Sequence, residues 1–362
     1  MKILIAAGGT GGHLYPGIAL ARELKKRNGE VFFIIRKRKN EEKILQSEKI
    51  PYFQLNFEGL PRRIGLPLFL YFPKLLFATF KVAVLLKSLR PDFLVGMGGY
   101  LSVPVILAAK LYFLPTIIHE QNLYPGLANR LLAKIVDKIA ISFPETIKFF
   151  PPKKTVYTGN PIREELKGIT PELAKEKFDL SKDKFTILIF GGSAGARYIN
   201  EVVVNALPLL NRLREKVQFL HLTGEKDYLW VKENYSKQGF PGKVLPYLEE
   251  MGFAYACADL VISRAGASTI AEILSLKKPS LLTPYPYATG RHQELQARYL
   301  AEKGYAYFSL DKDFTADFFT RFIEDCFTHP EKLKSLSLHL EKFNPPQSVI
   351  ELSNLILSAQ TL

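Results

Sequence analysis

Two glycine-rich loops are the parts of this sequence whose residue types and spacing best fit chemistry on a phosphorylated ligand. Residues 8–12 (GGTGG) follow a short apolar run, and residues 191–196 (GGSAGA) repeat the arrangement later in the chain. Glycine lets the backbone approach a ligand closely, and the first N–H groups of a helix attract anions. Neither loop has the spacing of the dinucleotide fingerprint or of a P-loop. Each loop therefore predicts an anion site without specifying the ligand.

His13 stands where the first loop gives way to a predicted helix, with Pro16 in its first turn. The N-terminus of a helix lowers the pKa of an imidazole, which keeps the ring neutral and able to accept a proton near neutral pH. We therefore expect His13 to be a general base rather than a packing or capping residue.

Alternating strands and helices must position these loops. Runs rich in β-branched and aromatic residues predict seven strands in the first half, at 3–7, 31–35, 52–55, 93–96, 116–119, 138–141 and 156–158. Six more are predicted in the second half, at 186–190, 217–222, 243–245, 260–262, 280–283 and 305–308. Strand–helix alternation indicates parallel sheets covered on both faces. Two such series predict an α/β protein with two Rossmann-like, doubly wound domains facing a cleft.

The domain boundary is predicted after Asn160, where prolines and a charged stretch interrupt the alternation. This gives an N-terminal domain of residues 1–160 and a C-terminal domain of residues 161–344. Residues 345–362 predict a final helix, which we expect to pack back on the N-terminal domain.

Charge is distributed unevenly along the 362 residues, which carry a formal net charge of +14. Residues 1–150 hold 22 basic and 10 acidic side chains, whereas residues 151–362 hold 27 and 25. The first half is therefore expected to meet an anionic partner. A 47% hydrophobic content excludes a disordered chain, and only two cysteines exclude a disulfide framework.

Residues 60–90 combine large apolar side chains with six basic residues and no acidic one. This composition predicts binding to the surface of an anionic membrane, and the alternative is a core helix with a solvated basic face. Pro67, Pro73 and Lys74 interrupt the apolar run and argue against a membrane-spanning helix. Residues 1–7 predict a buried strand rather than a signal peptide.

Seven motifs occur in a defined order along the chain: GGTGGH at 8–13, GMGGY at 96–100, HEQN at 119–122, GNPIR at 159–163, GGSAGA at 191–196, SRAGASTIAE at 263–272 and HQ at 292–293. Together they resemble the MurG family, the lipid-linked N-acetylglucosaminyltransferases of bacterial peptidoglycan synthesis. The resemblance covers essentially the whole chain and implies the GT-B glycosyltransferase architecture. We expect no cofactor. We also expect no metal site, because apart from Asp311-Lys312-Asp313 no group of acidic, His or Cys residues has metal-ligand spacing; the sequence leaves open whether divalent ions help.

The resemblance implies an inverting transfer of N-acetylglucosamine from UDP-N-acetylglucosamine to the 4-hydroxyl of undecaprenyl-pyrophosphoryl-N-acetylmuramyl-pentapeptide, which converts lipid I to lipid II. It places the donor in the C-terminal domain and the lipid acceptor in the N-terminal one. It also implies a peripheral protein on the cytoplasmic side of the bacterial cell membrane, acting in cell wall biogenesis, cell shape and cell division. The expected partners include other cell-wall synthesis enzymes and no nucleic acid.

In this resemblance the catalytic residues are His13 and Glu120, and the sequence leaves open which one takes the proton. The substrate-binding residues that it implies are Thr10, Gly11, Gly12, Asn122, Arg163, Ser193, Leu248, Ala267, Ser268, Thr269, Glu272 and Gln293. Ser193 would meet the donor phosphates, Glu272 the ribose and Leu248 the uracil.

Two single residues depart from the family pattern, and one acidic triplet has the form of a metal-binding motif. Val103 and Gln296 depart from the residues usual in the family, glycine and asparagine, so the family's loop shape is not carried over to Val103 and its donor contact is not carried over to Gln296. The Asp311-Lys312-Asp313 triplet has the form of a metal-binding motif, but its place before a predicted helix favours helix capping.

Other functions remain open from the sequence alone. A UDP-sugar 2-epimerase shares the two-domain architecture, another glycolipid synthase differs only in its acceptor, and a membrane-bound scaffold would keep the fold without turnover. An NAD-dependent dehydrogenase is disfavoured, because Arg36 and Lys37 rather than an acidic residue follow the second predicted strand.

Overall fold

The computed structural model describes residues 1–9, 11–59 and 66–358, without the side chains of residues 39, 40 and 66–68. Seven parallel strands form the sheet of the N-terminal domain. Their order is β3-β2-β1-β4-β5-β6-β7. Their bounds are β1 (Lys2–Ala6), β2 (Glu30–Ile35), β3 (Tyr52–Gln54), β4 (Phe93–Gly96), β5 (Thr116–Glu120), β6 (Lys138–Ile141) and β7 (Thr155–Tyr157). All seven predicted strands are confirmed, with ends displaced by at most one residue.

Six helices cover this sheet within the described residues: α1 (Gly11–Lys26), α2 (Lys39–Ser47), α3 (Leu66–Leu89), α4 (Ser102–Leu111), α5 (Leu127–Leu132) and α14 (Ser348–Ser358). Because both faces of a parallel sheet are covered, the central strands are apolar on both sides, and Ile3, Leu4 and Ile5 are all buried. Val103 lies in the first turn of α4 and packs on the core rather than in a loop.

Helix α3 runs without a break through Pro73, one of the residues that interrupt its apolar run. Its stretch Phe69–Leu89 is long and apolar enough to cross a membrane by length and composition. One face of α3, with Tyr71, Val82 and Leu86, is nevertheless buried in the core of the domain. The opposite face exposes several large apolar side chains to solvent: Phe69, Leu70, Phe72, Leu76, Phe77 and Phe80.

The second sheet has six parallel strands in the order β10-β9-β8-β11-β12-β13. Their bounds are β8 (Phe185–Phe190), β9 (Val217–Leu222), β10 (Gly242–Leu245), β11 (Leu260–Ser263), β12 (Ser280–Leu282) and β13 (Tyr307–Phe308). All six predicted strands are confirmed, with ends displaced by at most two residues.

Eight helices belong to this second sheet: α6 (Pro171–Lys177), α7 (Arg197–Ala206), α8 (Tyr228–Gln238), α9 (Met251–Cys257), α10 (Ala267–Ser275), α11 (His292–Glu302), α12 (Ala316–Thr328) and α13 (Pro330–Lys342). The expectation that Asp311-Lys312-Asp313 caps a helix is wrong for Asp311. Thr315 caps α12 by accepting a bond from the amide of Phe318 at 3.2 Å, and Asp311 forms an ion pair with Arg264.

The chain divides into two units, an N-terminal domain of Met1–Arg163 with Pro345–Leu362 and a C-terminal domain of Glu164–Asn344. The division follows Arg163, three residues beyond the predicted boundary after Asn160. Helix α14 belongs to the N-terminal unit, where Leu352 and Ile356 are completely buried against the core that β1 and α1 form.

Candidate active site

The strand order of the N-terminal domain reverses between β1 and β4, so the loops that follow these two strands lie side by side. Ligands of doubly wound folds bind at this switch point. Gly98 and Gly99, after β4, have positive φ values of 89° and 73°. A Cβ added to Gly99 would lie 3.2 Å from Cε1 of His13. The GMGGY loop therefore supports the imidazole with bare backbone, which a larger residue would displace.

His119 lies beneath this loop and is completely buried at the end of β5. Its Nε2 lies 2.9 Å from the carbonyl oxygen of Gly159, and its Nδ1 lies 3.0 Å from the side-chain amide of Gln121. The carbonyl accepts only from a protonated Nε2, so Nδ1 is the acceptor. Burial lowers the pKa of His119 to about 4, and nearby His13 adds to the effect. His119 is thus a neutral structural link between the HEQN and GNPIR motifs.

Glu120 is buried, and both of its carboxylate oxygens accept hydrogen bonds. Oε1 accepts from the amide of Asn122 at 2.9 Å and from its side chain at 3.0 Å. Oε2 accepts from the amide of Gly126 at 3.1 Å and from the side chain of Asn129 at 2.8 Å. Burial raises the pKa of the Glu120 carboxyl, and these bonds oppose the rise. The carboxylate holds the loop that presents Asn122.

The first glycine loop is tied to helix α2 by Glu41, a residue that the sequence reasoning missed. The amide of Gly9 donates to Oε1 of the buried Glu41 at 2.9 Å. Burial raises the pKa of this carboxyl, and the amide of Gly9 and the charges of Arg38 and Arg36 lower it. One amide of the predicted anion site is therefore already used by a carboxylate.

The remaining predicted residues of this domain lie close to the same edge of the sheet. Gly11 and Gly12 form the start of α1, and Thr10 lies outside the described residues. Arg163 is buried with its guanidinium carbon 4.6 Å from the centre of the Tyr15 ring, two residues beyond His13 on α1. The structure thus places Arg163 with the N-terminal domain.

In the C-terminal domain the second glycine loop joins β8 to α7 and packs directly on the loop after β9. Gly195 has a φ of 76°, and a Cβ there would lie 2.1 Å from the carbonyl oxygen of Thr223. Only glycine permits this approach of two backbones. Ser193 is exposed at the tip of the loop, next to the N-terminus of α7.

A buried polar network fixes α7 below this loop. Asn200 donates to the carbonyl of Thr223 at 2.9 Å and to Asp227 at 2.8 Å. His221 lies 3.0 Å from the side-chain oxygen of Asn200 and 3.2 Å from the Tyr235 hydroxyl. Burial lowers the pKa of His221 to about 3, so it is neutral.

The third glycine-containing segment leads from β11 into α10. Ala267, Ser268 and Thr269 form the first turn of α10, so their backbone N–H groups lie at the N-terminus of the helix. On the same helix, Oε2 of the buried Glu272 accepts a bond from the Tyr255 hydroxyl at 2.8 Å. Tyr255 is completely buried on α9, and nothing in the sequence indicated its role.

Two glutamines on α11 contact neighbouring loops. Oε1 of Gln293 accepts from the amide of Tyr285 at 2.9 Å. Gln296 is completely buried, and its amide donates to the carbonyl of Ala265 at 2.7 Å. Gln296 therefore supports the segment that enters α10. Leu248, half-buried after β10, completes the predicted donor residues at the carboxyl ends of these strands.

Comparison with known proteins agrees with this arrangement. The model of the glycosyltransferase family 28 N-terminal domain matches residues 3–141, and that of the family's C-terminal domain matches residues 186–347. The chain belongs to glycosyltransferase family 28. It is 40% identical over 99% of both chains to a Thermodesulfovibrio yellowstonii relative named UDP-N-acetylglucosamine–N-acetylmuramyl-(pentapeptide) pyrophosphoryl-undecaprenol N-acetylglucosamine transferase. A relative from Myxococcus xanthus with the same name is 39% identical over 98% of this chain and 92% of its own.

Solved structures share this fold. The crystal structure of Acinetobacter baumannii MurG is 27% identical, with a TM-score of 0.78 and 99% of each chain covered. A UDP-N-acetylglucosamine 2-epimerase from Neisseria meningitidis is 16% identical with a TM-score of 0.68, covering 100% of each chain, which shows a shared fold alone.

The family 28 chain contains no cluster of three or more His, Cys, Asp or Glu side chains with metal-binding geometry in the part that the structure describes. Its two cysteines, Cys257 and Cys326, are buried, and burial raises the pKa of each thiol to about 12. A thiol with so high a pKa is a poor nucleophile.

Proposed function

We propose that this family 28 protein transfers N-acetylglucosamine from UDP-N-acetylglucosamine to the 4-hydroxyl of the muramyl sugar of undecaprenyl-pyrophosphoryl-N-acetylmuramyl-pentapeptide, with inversion at the anomeric carbon. The observation that carries the proposal is the 40% identity to a transferase of that name over 99% of both chains. Of the residues that the family resemblance implies, those that the structure describes also lie at or beyond the carboxyl ends of the strands, where such folds bind ligands.

His13 is the proposed base. The acceptor oxygen attacks the anomeric carbon and forms the new glycosidic bond while its proton passes to the imidazole. The bond between the anomeric carbon and the donor phosphate breaks, and its electron pair leaves with UDP. His13 supports this role because Gly99 holds its ring on bare backbone, whereas Glu120 has both oxygens engaged by N–H donors. We therefore assign Glu120 to the positioning of Asn122.

The C-terminal domain is proposed to bind UDP-N-acetylglucosamine. The first turn of α10 and the start of α7 present backbone amides and helix N-termini, which stabilise the charge that develops on a departing diphosphate. Glu272, oriented by Tyr255, would accept bonds from the ribose hydroxyls. Ser193 and Leu248 are proposed to contact the phosphates and the uracil, and Gln293 is proposed to hold the sugar, as the family resemblance implies.

The exposed face of α3 is the proposed membrane-binding surface. Phe77 and Phe80 are more than half exposed, and Lys74, Lys81 and Lys87 lie beside them on the same helix. Apolar insertion and attraction to anionic lipids then act together. The opposite face of α3 is part of the domain core, so the helix would lie on the bilayer rather than cross it.

Transfer of radiolabel from UDP-N-acetylglucosamine to the muramyl lipid, with UDP release, tests the proposed reaction. We expect His13→Gln and Glu272→Gln to reduce turnover by orders of magnitude while leaving the fold intact. Formation of UDP-N-acetylmannosamine without acceptor would instead identify an epimerase. Transfer to diacylglycerol in preference to the muramyl lipid would identify a different glycolipid synthase.

A second experiment tests the membrane surface. Phe77→Glu with Phe80→Glu should reduce binding to anionic vesicles and activity on the native lipid, but not activity on a water-soluble acceptor. Leu229→Glu is the matched control, because Leu229 is an exposed apolar residue of the C-terminal domain. Equal loss of activity on both acceptors would show that these side chains support the fold rather than membrane binding.

A further inference from the structure

Three neighbouring strands of the C-terminal sheet end at one buried arginine. Arg264 directly follows β11, Thr283 directly follows β12, and Asp311 lies just beyond β13. These three residues, which we term the strand-end clamp, connect the last three strands in the sheet order. Arg264 belongs to the SRAGASTIAE motif, but the family resemblance gave it no role.

The clamp uses both oxygens of Asp311. Arg264 Nη2 donates to Oδ2 at 3.0 Å, Arg264 Nη1 donates to Oδ1, and the Thr283 hydroxyl donates to Oδ1 at 3.0 Å. Arg264 Nη1 also lies 3.1 Å from the carbonyl oxygens of Thr283 and Pro284. The planar guanidinium reaches the carboxylate and both carbonyls at once, which a lysine ammonium on a flexible stem cannot reproduce.

The segment held by Arg264 in turn holds a predicted donor-binding residue. Tyr285, the next residue after Pro284, donates its amide to Oε1 of Gln293 at 2.9 Å. This bond fixes the orientation of the Gln293 amide, because the oxygen is committed to Tyr285 and the NH2 group must point elsewhere. The Tyr285 ring lies 5.8 Å from the guanidinium carbon of Arg264 and adds a contact to the same segment.

We propose that Arg264 is a positioning residue for the donor sugar, acting through the backbone of 283–285 on the side-chain amide of Gln293. The proposal rests on the proposed function, in which Gln293 holds the sugar of UDP-N-acetylglucosamine. Asp311 is the anionic partner that keeps Arg264 in place.

The clamp also stabilises the fold, because β13 is a two-residue edge strand that Asp311 helps to attach. Loss of stability alone would lower the amount of active enzyme without altering the KM of the molecules that remain folded. A positioning role instead raises the KM for the donor, and the rise must depend on Gln293. These two effects separate in a double-mutant cycle.

The experiment measures kcat and the KM for UDP-N-acetylglucosamine for Arg264→Lys, Gln293→Ala and the double variant. We expect each single variant to raise KM by about tenfold and the double variant to add less than about twofold to the larger effect. Arg298→Lys is the matched control, because Arg298 is an exposed arginine on α11 that pairs with Glu294. Arg298→Lys should leave KM unchanged, alone and with Gln293→Ala.

Two results would overturn the inference. One is a KM of the double variant that rises by the full product of the factors measured for Arg264→Lys and Gln293→Ala; the other is an unchanged KM in Arg264→Lys. If Arg264→Lys fails to fold, Thr283→Val removes one bond to Asp311 while keeping the backbone carbonyl. That variant should raise KM by a smaller factor, again only when Gln293 is present, and an unchanged KM would count against the clamp. A wild-type protein that transfers no sugar would refute the proposed function instead.

Discussion

Replacing Glu120 by glutamine separates the two roles that the sequence left open for this residue. The carboxylate accepts from four N–H groups, two on each oxygen. A glutamine side chain keeps one oxygen and replaces the other by an NH2 group, which cannot accept a hydrogen bond. In either orientation the NH2 group therefore faces two of the four N–H donors, and two hydrogen bonds to a charged acceptor are lost. Each such bond contributes about 1.5–3 kcal/mol, so the loss of two should lower the unfolding free energy by about 3–6 kcal/mol. For a domain of this size, the midpoint of thermal unfolding should drop by about 10 °C.

The effect on catalysis should be partial. Asn122 loses both of its bonds to the carboxylate or gains mobility with the 122–126 loop, and misplacement of a substrate-binding group lowers kcat by about 10- to 100-fold. The dependence of kcat/KM on pH should keep its acid limb in Glu120→Gln, because this variant retains His13, the proposed base. The limb should disappear in His13→Gln. Steady-state transfer assays between about pH 5 and 9 measure both.

Glu48→Gln is the matched control for this comparison, because Glu48 is a partly buried carboxylate that accepts from Arg22 at 2.6 and 2.9 Å, away from the proposed site. It should leave both kcat and the pH profile unchanged. If Glu120→Gln lost the acid limb while His13→Gln kept it, Glu120 would be the base and the assignment made here would be refuted.

Further predictions follow from single contacts. Gly99 and Gly168 have φ values of 73° and 77°, so Gly99→Ala and Gly168→Ala should each lower the unfolding free energy by about 1 kcal/mol in thermal unfolding. Only Gly99→Ala should also lower kcat, because only the Cβ added at Gly99 contacts the imidazole of His13. Tyr255→Phe removes the hydroxyl that orients the carboxylate of Glu272. This variant should raise the KM for the donor by about fivefold in initial-rate assays. Burial lowers the pKa of His119 to about 4 and that of His221 to about 3, well below the ordinary histidine pKa of about 6.5. The unfolding free energy should therefore fall as the pH drops below about 6.5, by about 1.4 kcal/mol per pH unit for each histidine, in urea titrations.

Each of these predictions has an outcome that contradicts it. Equal kcat losses in both alanine variants would mean that backbone strain alone, and not the contact with the imidazole, reduces turnover. An unchanged donor KM in Tyr255→Phe would show that the carboxylate needs no support from its hydroxyl. A stability curve that stays flat from neutral pH down to about pH 5 would mean that the two buried histidines take up protons without unfolding.

The strands were predictable because each is a short apolar run bounded by glycine, proline or charged residues. Both faces of the central strands are buried, so their sequences are almost continuously apolar rather than alternating between apolar and polar residues. Helix α3 was harder to interpret. Pro73 breaks the pattern that defines an uninterrupted helix, but it lies on the exposed side, where a missing N–H does not disturb the core. Both faces of α3 carry large apolar side chains, but one face packs on the domain core and the other meets solvent. Sequence alone therefore does not separate the buried face from the exposed one.

The candidate site was predictable where a residue stands in a strand-end motif, as His13 and Glu120 do. The residues that support these motifs were not. Glu41, Tyr255 and Asp311 lie far along the chain from the residues that they hold, and only the folding of parallel strands brings them together. No local spacing signals a contact of that kind.

The position of α14 has a consequence for the order in which the protein matures on the ribosome. The whole of Glu164–Asn344 is synthesised before α14 emerges, and α14 supplies Leu352 and Ile356 to the other domain's core. The C-terminal domain is therefore complete as a chain while the N-terminal domain still lacks an element. This reverses the usual order of co-translational folding. Until the last helix docks, the apolar side chains of β1 and α1 that pack against Leu352 and Ile356 lack this cover, and exposed apolar surface of this kind is what chaperones bind.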